Sequence, residues 1–244
     1  MKKLKIILPK NSGRDSHGHV SVRHQGGRHK RFLRIIDHGC QKRGMTGRVE
    51  AIEYDPNRNA KLALVLYPDG DRRYMIASQG LGVGDRVMAG ETAPIKPGNS
   101  LPLGRIPVGT LVYNLEITTG KGGQMVKSGQ SSATIQGRES SVVLVKLPSG
   151  ELRRFDTASY ATIGQVSGET RGSLRKAGVS RHMGIRPTVR GVAMAPRAHP
   201  HGGGEGRSPE GMPPKTPWGK PARGVKTRRP RKYSNRLIVE RRKK

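Results

Sequence analysis

The charge of this chain is concentrated at its ends, and that confines any hydrophobic core to the middle. Residues 1–31 carry nine Lys and Arg against one carboxylate, and residues 171–244 carry 21 against three. The stretch 32–170 between them carries 17 against 13. Basic segments of that density repel themselves and hold too little apolar surface for a core of their own. The sequence therefore predicts a folded centre with two basic extensions that a partner puts in order. A net charge of +30 is tolerated where a polyanion neutralises it.

That polyanion is expected to be nucleic acid. No window approaches 18 apolar residues, and the patch Leu4, Ile6, Ile7 and Leu8 is too short for a signal peptide. The single Cys40 excludes an intramolecular disulfide and a multi-cysteine zinc site, which fits a reducing compartment. With no transit-type leader in view, a bacterial cytoplasm is the expected location, and an organelle matrix is the alternative.

The centre reads as β structure. Residues 62–67 and 142–145 are short apolar runs bounded by turn residues, and residues 111–118 alternate with a period close to two. Turn signals recur at Asp55-Pro56-Asn57, Pro68-Asp69-Gly70, Lys96-Pro97-Gly98-Asn99 and Pro148-Ser149-Gly150. Short strands at this spacing suggest small barrels. Residues 68–75 are echoed by 148–155 without a gap, each pairing a turn with an Arg-bearing strand. Either the chain holds two similar barrels, or one common hairpin is used twice. The Pro/Gly-rich segment 96–109 is expected to link the barrels. Beyond residue 171, extended loops with at most short helical turns are expected.

The most distinctive motif is His199-Pro200-His201-Gly202-Gly203-Gly204-Glu205-Gly206-Arg207. Three consecutive glycines let backbone approach a ligand closely, prolines stiffen the entry, and Arg197 and Arg207 flank it. The sequence reads as exposed backbone shaped for a phosphate-rich ligand. A catalytic reading finds little support in the neighbourhood of His199, where Ala198 precedes the ring and Glu205 is the nearest acid. A zinc reading of His17, His19, His24 and His29, or of His199 with His201, lacks thiolates and regular spacing. The glycine stretch 119–124 lacks the Lys-Ser/Thr ending of a P-loop. It reads as a loop whose Lys121 meets RNA phosphate, or as an ordinary turn. Aromatics are scarce, which favours recognition of folded RNA by shape over reading of single strands.

Longer motifs resemble one family. Residues 48–58, 62–67, 70–74, 95–99, 106–109, 120–124, 186–191 and 199–207, followed by Thr216-Pro217-Trp218-Gly219, are similar to the bacterial-type second large-subunit ribosomal protein family. The resemblance runs from about Lys10 to the end of the chain. It implies a mostly β fold, an oligonucleotide-binding-type barrel at 32–97 and a small Src-homology-like barrel at 98–170. A basic N-terminal arm (1–31) and a Gly/Pro-rich extension (171–244) flank them. It implies binding of large-subunit rRNA, support of subunit association and organisation of RNA near the peptidyl-transferase centre. No enzymatic activity and no cofactor are expected, with Mg²⁺ present only as an rRNA counterion. Expected partners are rRNA, the small subunit at the interface and neighbouring ribosomal proteins, with no membrane and no small-molecule substrate.

The chain departs from the family at Ala198 (usually Asp), His182 (usually Trp) and Ser128-Gly129-Gln130. Its N-terminal extension is shorter than is typical, so fewer rRNA contacts are expected there, with compensation by another protein. The residues expected to bind rRNA are Arg23, His24, Arg28, His29, Lys30 and Arg31 in the N-terminal arm. In the extension they are Arg175, Lys176, Arg181, Arg186, Arg190, His199, His201, Arg207, Trp218, Lys226, Arg228 and Arg229. Two rival readings remain at this stage: His199 taking part in peptidyl transfer, and a free RNA chaperone with basic tails.

Overall fold

The computed structural model describes residues 4–169 and 172–242. The expected boundary at 170/171, the first three residues of the N-terminal arm and the last two of the extension lie outside the described residues. The chain forms two compact units. One takes in the segment up to Leu8, Lys30–Ser173 and the segment from Tyr233 on; the other joins Pro9–His29 to Leu174–Lys232.

The first unit is built almost wholly of antiparallel strands. β1 (Lys5–Leu8) pairs with β2 (Arg31–Arg34), Lys5 lying opposite Arg34 and Leu8 opposite Arg31. β3 (Thr46–Glu53), β4 (Leu62–Leu66), β5 (Arg72–Ile76) and β6 (Arg86–Met88) form a sheet in the order β5-β4-β3-β6. The unbroken apolar run of β4 has a physical cause. Ala63 and Val65 pack with Val49, Met75 and Val87 on one face. Leu62 and Leu64 pack with Tyr74, Ile76, Tyr113 and Val166 on the other. A strand covered on both faces has no position for a polar side chain.

The remaining strands are β7 (Ser100–Pro102), β8 (Leu111–Tyr113), β9 (Leu115–Glu116), β10 (Gly123–Met125), β11 (Ala133–Arg138), β12 (Val142–Lys146), β13 (Leu152–Asp156), β14 (Tyr160–Ile163) and β15 (Ile238–Glu240). Seven of them form a sheet in the order β15-β13-β12-β11-β8-β14-β7, and β9 pairs with β10. Leu101, Leu103, Ile106, Val112, Leu115, Ile135, Val143, Val145, Phe155 and Ile163 fill its core. Alternation along β12 places Val143 and Val145 inward and leaves Val142 and Leu144 half-exposed. The fold is thus mostly β with oligonucleotide-binding-like and Src-homology-like parts, although neither sheet closes into a continuous barrel ladder among the described residues.

Three sequence readings meet the structure here. The echoed motifs form the same hairpin turn. Gly70 N–H donates to Tyr67 C=O and Tyr67 N–H to Asp71 C=O, and Gly150, Leu147 and Glu151 repeat that pattern with all four bonds between 2.9 and 3.0 Å. The strand orders around the two hairpins differ, so the shared feature is the hairpin. The 96–109 segment, expected to be a linker, instead supplies β7 and the buried Leu101, Leu103 and Ile106. Pro102 is tolerated there because β7 is an edge strand. The extension is also more than loops, because its residues 238–240 return as β15 and cover the open edge of β13.

Candidate nucleic-acid interface

In the second unit the two basic arms pair with each other. Gly26 N–H donates to Gly184 C=O at 2.8 Å, Arg186 N–H to His24 C=O at 3.0 Å and His29 N–H to His182 C=O at 3.1 Å. Gln25 and Ile185 form an antiparallel bridge. Side chains lock the pairing. The His24 Nδ1–H reaches Pro187 C=O at 3.1 Å, and the His29 and His182 rings stack with centroids 4.5 Å apart and planes within 5°. His182, which stands where the family usually has Trp, thus takes part in an aromatic stack within the chain. The only α-helix among the described residues, α1 (Ala177–His182), leads into this crossing, and its end is held by Met183 and Gly184 N–H groups.

The pairing brings Arg23, His24, Arg28 and His29 together with Arg181 and Arg186. Arg23 also lies over the Trp218 ring, 5.3 Å from its centroid. Arg175 and Lys176 lead into α1, and Arg190 precedes the 3₁₀ turn Gly191–Ala193. These side chains, with Arg207, Lys226, Arg228 and Arg229, are exposed, whereas His24 and Arg28 are half-buried. Lys30 and Arg31 fall in the first unit. Lys30 lies over the Phe32 ring, and half-buried Arg31 is in β2.

The 199–207 motif differs from the exposed loop its composition suggested. His199 is 7% exposed and His201 8%. Their rings stack at 5.0 Å, and His199 Nδ1 accepts the His201 N–H at 3.0 Å. His201 Nε2 accepts the Lys215 N–H at 2.8 Å, so its hydrogen sits on Nδ1, which faces Glu210 C=O at 3.2 Å. Both imidazoles pin the loop down. Gly202 and Gly203 spend their N–H groups on His199 and Met194 C=O, and outward the loop presents the backbone of Gly204 and Gly206, both at positive φ, and the Arg207 side chain. Sequence alone could not separate a histidine that binds from one that staples, because both sit beside glycine and arginine.

Charge separates the two units. The pairs Lys5–Glu53, Arg58–Asp55, Arg72–Glu50 and Arg73–Asp37 lie at 2.6 to 2.8 Å, and all are in the first unit. The second unit holds nineteen Lys and Arg against Asp15, Glu205 and Glu210. Most of its cations have no carboxylate available, so their counter-charge has to come from outside.

The first unit adds a feature that sequence reasoning missed. A cavity of about 660 Å³ is lined by Asp37, His38, Arg43, Asp71, Arg72, Arg73, Lys121 and Gly122, among others. Arg73 bonds Asp37 and Asp71, and its hydrogen bond holds the Asp71 carboxyl below the usual range. Arg43 stacks on Tyr160 at 4.1 Å. Burial, then the charge of Lys127, lowers the pKa of His38. The glycine loop beside the cavity is no phosphate cradle. Lys121 N–H donates to Thr118 C=O, Gly123 N–H to His38 C=O, and Gly122 N–H to Glu116 Oε1 at 2.7 Å. With those three amides used internally, the loop offers an anion the Lys121 side chain rather than a nest of N–H groups.

No helix among the described residues is long and apolar enough to cross a membrane. A family model described as Ribosomal Proteins L2, RNA binding N-terminal domain, matches residues 1–89. A second, described as Ribosomal Proteins L2, C-terminal domain, matches residues 96–219. The first match takes in the N-terminal arm and the whole of the β5-β4-β3-β6 sheet. Basic arms braided into one acid-poor unit fit these two matches, and the chain belongs to the ribosomal protein L2 family of large-subunit RNA-binding proteins.

Proposed function

We propose that this chain is a structural constituent of the large subunit that holds rRNA in place, supports association with the small subunit and organises RNA near the peptidyl-transferase centre. The observation that carries the reading is the second unit, where nineteen cations face three carboxylates on a scaffold already built by pairing of the arms. Its phosphate contacts are assigned to Arg23, Arg28, Arg175, Lys176, Arg181, Arg186, Arg190, Arg207, Lys226, Arg228 and Arg229. Lys30 and Arg31 are assigned phosphate contacts of their own on the first unit, and His24 and His29 shape the surface of the second. We divide the chain by role into an arm (1–31), two β domains (32–97 and 98–170) and an extension (171–244). Neighbouring ribosomal proteins and the small subunit are its further partners, and the cytoplasm is its location.

The chain acts without a cofactor, Mg²⁺ serving the rRNA as counterion, and peptide-bond chemistry belongs to the RNA. The employment of His199 supports this. Its Nδ1 lone pair already accepts a backbone N–H, so the ring is a fixed structural group. A general base contributes about 10²–10⁴-fold. Subunits assembled with His199→Ala are therefore expected to keep a near-normal single-turnover rate of peptide bond formation, and a hundredfold loss in intact subunits would overturn the reading.

The role as a built-in constituent is tested by sedimenting a tagged copy from lysate before and after a high-salt wash. Stoichiometric retention on large subunits is expected, because interlocked arms do not leave by screening alone. Release into the light fractions would point to a chaperone held by charge. For the purified chain on rRNA fragments, log K should fall with log salt by about 0.7–0.9 per phosphate contacted.

A further inference from the structure

We propose that Trp218 and Arg23 form a platform on which a single unpaired RNA nucleobase stacks. The proposal rests on the rRNA-binding reading and specifies what one part of that surface takes. Trp218 is 75% exposed, although an indole is among the side chains that gain most from burial. Its position is nevertheless fixed. Thr216 N–H donates to Lys220 C=O at 2.8 Å, Gly219 N–H to Thr216 C=O at 2.9 Å and Lys220 N–H to Thr216 Oγ1 at 3.2 Å. Lys215 and Pro221 close the turn with a bridge. A tight hairpin therefore displays the indole at its tip.

Arg23, from the distant N-terminal arm, lies over the ring at 5.3 Å. A guanidinium over an indole is held by the ring's negative face and adds a cation to an apolar plane. Lys215, Lys220 and Arg223 flank the turn in sequence, with no carboxylate between residues 211 and 232. The ligand this suits is flat, apolar on its faces and anionic at its edge, which describes a nucleotide. Bases inside a duplex stack on each other and offer no free face, so the ligand is a base that is bulged, looped or terminal. Stacking on an aromatic side chain tolerates any base, so little sequence preference is expected.

Trp218 is the only tryptophan of the chain, so indole emission, excited to the red of tyrosine absorption, reads this site alone. The full-length protein is titrated with an end-labelled RNA hairpin carrying one bulged adenosine, and separately with the same hairpin fully paired. Label anisotropy reports binding and indole emission reports stacking. We expect both RNAs to bind, with saturable quenching by the bulged hairpin and little by the paired one. Trp218→Ala should reduce the preference for the bulge by about 5- to 100-fold, whereas Trp218→Phe should keep most of it. Equal quenching by both hairpins at matched saturation would overturn the platform and leave RNA binding standing, as would a preference that survives Trp218→Ala. Flat anisotropy with both RNAs would overturn the binding reading together with the platform.

Discussion

The His199 imidazole occupies the space that a side chain at residue 191 would need: a Cβ on Gly191 would come within 2.5 Å of the ring. The ring has little freedom to yield, being buried, stacked on His201 and bonded to its N–H. Gly191→Ala should therefore displace His199 and cost about 1–3 kcal/mol, as overpacking commonly does. Amide exchange at residues 199–203 is the measurement, and protection equal to that of the parent would refute the packing argument.

His201 joins backbone groups 9 and 14 residues away, at Glu210 and Lys215. Removing its ring leaves that N–H and C=O without their partner, at a cost of about 1–3 kcal/mol for a buried polar group left unsatisfied. Trypsin should cut His201→Ala after Lys215 roughly tenfold faster than the parent. Equal cutting rates would mean that the ring does not staple this loop.

Glu116 is 2% exposed, and its two oxygens accept from Gly122 N–H at 2.7 Å and Tyr160 N–H at 2.9 Å. Its carboxylate thus ties the glycine loop to β14. Glu116→Gln replaces one acceptor by an NH₂ that faces an N–H donor, so it should cost about 1–3 kcal/mol and speed exchange of the Gly122 amide. A melting temperature unchanged by the substitution would count against this account.

Acid should weaken the first unit through His38. Burial and the neighbouring Lys127 lower its folded pKa below the ordinary value of 6.5. The unfolded chain then binds the proton more readily, so this contribution is fully present above pH 6.5 and is lost as pH falls from there towards the folded pKa. Chemical denaturation of the parent and His38→Gln at pH 7.5 and 5.5 checks the sign. The parent should lose more stability on acidification, and equal losses would show that His38 is not the titrating group.

Much of the site's character was legible because it is compositional. A charge-balanced middle between acid-poor ends marks where a core can form and what kind of ligand the ends seek, whatever the fold. The β hairpins at Pro68 and Pro148 were legible too, since a turn of this type needs its glycine at a fixed place and both glycines are there. The buried role of 96–109 was hidden, because Pro and Gly mark loops and edge strands alike. The cavity beside Lys121 was hidden for another reason. Its walls come from Leu4 and from residues within 35–43, 71–73 and 120–122, and no local pattern records that they meet.

The sequence by itself thus determined the β class, the polyanionic partner and the family, because periodicity, net charge and long motifs do not depend on how distant segments meet. Only the tertiary structure decided that the two basic arms braid together, that His182 stacks on His29 and that Arg23 covers Trp218. It alone decided that His199 and His201 turn inward as well. Those outcomes depend on which backbone N–H finds which distant C=O, and on whether a ring is shielded by residues far away in the chain. A hydrogen bond or a buried face is made by both partners at once, and the sequence names them without saying that they meet.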